Sequence, residues 1–201
     1  MSARLLVLAS GAGTTLQAVL DAATDPAYGA TVVAVGTDRP GIRALERADA
    51  AGVPTWTVAL TDCADRGEFD RRVAAEVTRT APDLVVCAGW MKILGPTALA
   101  SGPPFVNTHP ALLPAFPGPH AVRDALAYGV KVSGATVHFV DAGVDTGPVV
   151  AQAAVPVEPG DDEASLQARI QAAERPLYTD VVGRLVRHGW TVTGRTVTLH
   201  G

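Results

Sequence analysis

The chain has 201 residues, 48% of them hydrophobic and 18% charged, with a formal net charge of −4. That is apolar material for one well-cored domain, and the acidic balance excludes a general attraction to nucleic acid. No apolar run approaches a membrane span, and Met1-Ser2-Ala3-Arg4 leads into a strand-like run without a signal-peptide pattern, so a soluble cytoplasmic protein is expected.

Leu5 to Ala9, Thr31 to Gly36 and Asp83 to Ala88 are short apolar runs bounded by Gly, Pro or Asp, the pattern of buried parallel strands. Ser10-Gly11-Ala12-Gly13-Thr14-Thr15 joins the first of them to a helix-like segment, Thr15 to Ala23. Backbone N–H groups and the helix dipole at such a junction can hold a phosphate. The motif lacks the third glycine of a dinucleotide fingerprint, since position 16 is Leu16, and it lacks the Gly-Lys pair of a Walker loop. A tight turn that uses glycine for backbone freedom is the alternative. Gly41 to Ala51 and Asp65 to Thr80 are further helices, the second with Phe69, Val73 and Val77 on one face. Cys63 and Cys87 share no metal-ligand spacing, and Cys87 reads as a buried free thiol. Trp90-Met91-Lys92-Ile93-Leu94 follows a buried strand and suits either a flat heterocycle or core packing. The alternation of strand and helix predicts an α/β fold, doubly wound, with a mostly parallel central sheet and helices on both faces.

Phe105 and Val106 end a further strand at Asn107, which puts Asn107 and His109 at a carboxyl edge where such sheets bind ligands. Asn107-Thr108-His109-Pro110 is followed 36 residues after His109 by Asp145, within Val144-Asp145-Thr146-Gly147-Pro148. An amide can donate to a developing oxyanion, an imidazole can handle protons near neutral pH, and a carboxylate can tune the imidazole. These are the groups needed to move an acyl group onto an amine without a metal or a covalent intermediate. A core histidine and a turn-capping aspartate are the plainer alternatives for His109 and Asp145. Pro110, Pro114, Pro117 and Pro119 predict a stiff, extended loop. His120 to Tyr128 follows as a helix, then Lys131 to Val140 and Val149 to Val157 as strands, with Asp145 in their connection. Structural roles are expected for His120 and His138, and no metal site is expected.

Asp161-Asp162-Glu163 opens a long helix with an apolar stripe of Leu166, Ile170, Ala173, Leu177, Val181 and Leu185, and Pro176 should kink it. Simple periodicity places Glu174 on the solvated face. Trp190 to Val192 and Thr196 to Leu199, split by Gly194-Arg195, predict a terminal hairpin. The whole, residues 1–201, is expected to be one domain with an α/β half over 1–107 and a second half over 108–201 that carries the catalytic loop, the long helix and the hairpin.

Over essentially its full length the chain resembles the phosphoribosylglycinamide formyltransferases, a folate-dependent family. The resemblance rests on Ser10-Gly11-Ala12-Gly13-Thr14, Ala81-Pro82-Asp83, Ala88 through Leu94, Asn107-Thr108-His109-Pro110, Phe116-Pro117-Gly118-Pro119-His120, and Thr136 through Val140 with Asp145-Thr146-Gly147-Pro148, in that order. It implies transfer of the formyl group of 10-formyltetrahydrofolate to the amine of a phosphoribosyl glycinamide, with Asn107, His109 and Asp145 catalytic and no metal. It also implies phosphate binding by Gly13, Thr14 and Thr15, and ribose binding by Glu174. Arg66, Met91, Lys92, Ile93, Leu94, Asn107, Val140 and Asp141 would receive the folate. Thr15 stands where the family often has Asn, and Lys92 where it often has Arg, which loses a planar fork for carboxylate pairing. The partners implied are small molecules, with no nucleic acid or membrane, and the chain acts as a monomer or homodimer. Methionyl-tRNA formyltransferase and formyltetrahydrofolate hydrolase have similar cores. The first adds a C-terminal nucleic-acid-binding domain and the second an N-terminal regulatory one, neither of which is expected here. A non-catalytic nucleotide-binding module would explain the glycine loop without using Asn107, His109 and Asp145 together.

Overall fold

The computed structural model describes residues 2–201; Met1, at the head of the N-terminal lead, lies outside them. The chain divides into two compact units, the first ending at Val106 and the second spanning Asn107–Gly201. In chain order the first unit forms β1 (Ala3–Ala9), α1 (Thr14–Ala22), β2 (Ala30–Thr37), α2 (Arg43–Ala50), β3 (Thr55–Thr57), α3 (Arg66–Thr80), β4 (Leu84–Cys87) and α4 (Pro96–Leu99). β5 (Phe105–His109) straddles the boundary, and α5 (Ala121–Tyr128), β6 (Val132–Phe139), β7 (Val149–Pro156), α6 (Glu163–His188), β8 (Trp190–Thr193) and β9 (Thr196–Leu199) follow. Strand order in the main sheet is β3-β2-β1-β4-β5-β6-β7, and β8 and β9 form a separate antiparallel pair.

In the first unit, Leu5 to Ala9 are all completely buried: β2 and β4 pair with β1 along its two edges, and the helices that connect parallel strands cover its two faces. A strand so enclosed has both faces covered, which is why its sequence is continuously apolar rather than alternating. β3 extends the parallel set beyond β2. Its Trp56 lies over Gly36, where an added Cβ would stand 2.2 Å from the indole ring. α3 buries Phe69, Val73 and Val77 as its spacing predicts, and the Asp65 carboxylate caps it by accepting the Glu68 N–H at 2.7 Å. Cys87 is buried, and burial pushes its thiol up to about 12, so it is a packing residue rather than a nucleophile. The three-residue β3 and four-residue α4 are too short for a periodic signal and were not predicted.

Within the second unit β6 and β7 pair antiparallel, so the mostly parallel sheet is mixed. Val122, Ala135, Val155, Leu166 and Ile170 form a buried cluster where α5, β6, β7 and α6 meet. α6 begins with a reciprocal cap: Asp162 accepts the Ser165 N–H at 2.8 Å, and the Ser165 hydroxyl accepts the Asp162 N–H at 3.0 Å. Beside it Arg169 pairs with Asp161, which holds that carboxyl well below the usual carboxylate range.

Two expectations need correction here. β5 runs to His109 rather than ending at Asn107, so His109 is a strand residue and not a loop residue. The stop is Pro110, which has no N–H to continue a ladder. The stripe of α6 also differs from prediction: Glu174 and Tyr178 are buried, whereas Ala173 and Leu177 are only half-buried. Glu174 and Tyr178 continue the four-residue spacing of Leu166 and Ile170, and the charge at 174 concealed that row. The helix is one span through Pro176.

Candidate active site

Strand alternation places Asn107 and His109, two residues apart, on the same face of β5, with Thr108 on the other. His109 is buried, and its Nε2 lies 2.8 Å from the Phe116 carbonyl oxygen while its Nδ1 lies 3.2 Å from Asp145 Oδ2. A carbonyl only accepts, so Nε2 carries a hydrogen. The second nitrogen then meets a carboxylate, and the doubly protonated ring is the form that donates to both neighbours. Phe116 and Asp145 both adopt left-handed backbone conformations, each with φ 54°. For residues with a Cβ this costs roughly 1–2 kcal/mol apiece, which the surrounding contacts must offset. One such contact is the Gly118 N–H, which donates to Asp145 Oδ2 at 2.8 Å.

His138, expected to be structural, is in this site. Its Nδ1 lies 2.9 Å from the Phe139 carbonyl, so the hydrogen of the neutral ring sits there and Nε2 is left as an acceptor. Nε2 lies 3.3 Å from Asn107 Nδ2 and 3.7 Å from Asp145 Oδ1. Accepting one N–H of the Asn107 amide fixes the orientation of that group and leaves its second N–H to be offered elsewhere. The available signal was proximity, since His138 lies seven residues before Asp145 in the same motif.

Burial lowers the His138 pKa, against a smaller opposing pull from the Phe139 carbonyl and from Asp145. A depressed folded value means that stability is intact above the unfolded imidazole value of about 6.5 and is lost as pH falls from there through the folded value. Melting temperatures measured between about pH 7 and pH 5 should therefore fall more steeply for the unmodified protein than for His138→Gln. Parallel curves would contradict the neutral ring.

The connection between β6 and β7 is tightly built. Asp141 Oδ1 accepts the Gly143 N–H at 3.0 Å and the Thr146 hydroxyl at 2.6 Å. At Gly147 an added Cβ would stand 1.7 Å from the Phe139 carbonyl oxygen, so only glycine fits. Val140 and Asp141 are half-buried at the start of this loop. Glu174 is buried on α6, one turn from both Ile170 and Tyr178.

In the first unit Gly13 is the N-cap of α1, with φ 69°, and an added Cβ there would stand 2.8 Å from the Ala44 Cα. Backbone freedom and close approach thus account for this glycine whatever the loop binds. Behind the loop, the Gly11 carbonyl accepts from Ala44 N at 3.2 Å and the Ala12 carbonyl from Arg47 Nε at 2.9 Å. Thr14 and Thr15 open α1.

Residues 90–95 divide into two kinds. Trp90 is buried and stacks on Phe69 with centroids 6.3 Å apart, and Leu94 is buried too. Met91 and Ile93 are 64% and 59% exposed. The backbone between them is fastened: Ser10 Oγ accepts from Met91 N at 2.9 Å, Arg66 donates to the Ile93 carbonyl at 2.8 Å, and Asp70 accepts the Gly95 and Thr97 N–H groups at 2.7 and 2.8 Å. Arg66 also lies over the Phe69 ring at 5.6 Å. Lys92 Nζ turns to the buried Asp38, 3.4 Å away. Among the described residues no three His, Cys, Asp or Glu side chains are grouped to hold a metal ion.

A family model described as formyl transferase matches residues 3–182. Phosphoribosylglycinamide formyltransferase of Mycobacterium tuberculosis is 56% identical over 98% of this chain and 91% of that protein. The same enzyme from Escherichia coli K12 is 40% identical over 92% of this chain and 90% of its own length. Glycinamide ribonucleotide transformylase 1 of Symbiobacterium toebii superposes with a TM-score of 0.96 at 41% identity, covering 100% of this chain and 95% of that one. The chain belongs to the formyl transferase family, and within it to the phosphoribosylglycinamide formyltransferases.

Proposed function

We propose that the protein transfers the formyl group of 10-formyltetrahydrofolate to the amine of phosphoribosylglycinamide, a step of purine biosynthesis, directly and without a metal. The observation that carries the reading is the linked set of Asn107 and His109 on β5, His138 on β6 and Asp145 in the β6–β7 connection, which joins an oriented amide, a carboxylate and a hydrogen-bonded imidazole.

The amine nitrogen attacks the formyl carbon, a C–N bond forms and the carbonyl oxygen becomes an oxyanion. The unengaged N–H of Asn107 and the Nε2–H of His109 donate to that oxygen, the latter leaving the Phe116 carbonyl to do so. Asp145 takes the proton that the attacking nitrogen sheds and returns it to the folate nitrogen as the old C–N bond breaks. Atoms balance: the acceptor loses one hydrogen and gains the formyl group, and the folate does the reverse.

Gly13, Thr14 and Thr15 hold the substrate phosphate in this reading, and Glu174 holds the ribose hydroxyls. For the folate this reading assigns Met91 and Ile93, whose apolar side chains are exposed, together with Arg66, Lys92 and Leu94 of the first unit and Val140 and Asp141 of the second. The test mixes purified protein with 10-formyltetrahydrofolate and glycinamide ribonucleotide and follows the deformylated folate by absorbance, with a control lacking the amine. Product that requires the amine is expected. Product without it would indicate a hydrolase, and none at all would move the assignment to another acceptor or to a binding module.

A further inference from the structure

The terminal hairpin contributes to the site at one point that its sequence does not advertise. At the β8–β9 turn, Arg195 Nη2 donates to the Thr146 carbonyl at 2.9 Å and lies 3.5 Å from that of Gly147. These two residues immediately follow Asp145. The hairpin itself is firmly anchored, since Trp190 packs on Phe139 with ring centroids 5.3 Å apart and β9 lies against β7 and α6. Phe139 closes the β6–β7 loop by donating its N–H to the Pro148 carbonyl at 3.0 Å. The matched family region ends at residue 182, before either hairpin strand begins.

We propose that Arg195 is a positioning residue for formyl transfer, clamping the Thr146-Gly147 backbone so that Asp145 keeps its left-handed conformation and its carboxylate stays against His109. Three restraints meet on this short segment. Asp141 ties Thr146 from within the loop, Gly147 is pressed against the Phe139 carbonyl, and Arg195 holds the carbonyl side. Without the third, the Thr146 and Gly147 carbonyls lose the contact that fixes their direction, and the left-handed residue before them gains room to shift towards an ordinary conformation. The guanidinium is exposed, so its effect on stability is small and its effect on geometry is what matters.

The inference rests on Asp145 being the acid-base group. Misplacing a reacting group by about 1 Å costs up to about 100-fold, so Arg195→Ala is expected to lower kcat roughly 10-fold while KM for the amine substrate changes by less than about twofold. Arg195→Lys, which keeps a single donor, should recover part of the loss. Combined with Asp145→Asn, Arg195→Ala should cost nothing further, because the group it positions is already disabled. Normal turnover of Arg195→Ala beside a crippled Asp145→Asn enzyme would overturn the clamp alone, as would losses that multiply in the double variant. A near-normal Asp145→Asn enzyme would overturn the assignment of Asp145 and the clamp with it.

Discussion

Asp145→Asn is expected to lower kcat by about 100- to 10,000-fold, the range for losing a positioned acid-base group. The substitution preserves shape, and an amide oxygen can still accept the Gly118 N–H that now reaches Oδ2. What disappears is a carboxylate able to take and return a proton, together with the charge that faces the Nδ1 of His109 at 3.2 Å. Because neither lost property bears on holding the phosphorylated substrate, the defect should fall on kcat and leave the KM of the amine substrate largely unchanged. Steady-state kinetics with both substrates varied will separate the two. Turnover within a few-fold of normal would remove Asp145 from the mechanism.

Asn107→Ala is the second large effect, with about 100- to 1000-fold expected in kcat, the usual cost of removing one oxyanion donor. It differs from the first in having a neighbour that shares the loss: His138 Nε2, which now accepts an Asn107 N–H at 3.3 Å, would be left without that donor. Comparison with Asn107→Asp is informative, since a carboxylate fills the same space but repels a developing negative charge. The aspartate variant should be at least as slow as the alanine variant. An aspartate enzyme faster than the alanine enzyme would mean that residue 107 does not face the oxyanion.

Much of this was legible in the sequence where one physical signal was unopposed. The buried strands β1, β2 and β4 read clearly because parallel strands covered on both sides are continuously apolar, and α3 because Phe69, Val73 and Val77 repeat with its period. Asn107, His109 and Asp145 could be named together from their motifs, and the structure brings the last two within hydrogen-bonding distance. Other features were hidden because local pattern and tertiary burial disagree. His138 alternates with Val137 and Phe139, so strand periodicity makes it another core position, and only folding shows that its ring reaches Asn107. Glu174 was set aside because a carboxylate suggests water, yet it lies in the row that Ile170 and Tyr178 define. Arg195 had no signal at all: a charged residue after glycine in a hairpin turn is ordinary, and its target lies 49 residues earlier in the chain.

The fastening of residues 90–95 bears on how this protein can change over time. Ser10, Arg66 and Asp70 grip main-chain atoms there, and Trp90 and Leu94 fill the interior, so the outward side chains of Met91 and Ile93 carry little of the folding burden. Those two positions are therefore open to mutation at small cost, and a folate-mimicking inhibitor whose potency depends on them invites resistance. On the proposed mechanism Asn107 and Asp145 offer no such latitude, since each combines a role in the chemistry with a contact to a buried histidine. A compound that draws its affinity from that pair would confront the organism with a choice between escape and catalysis.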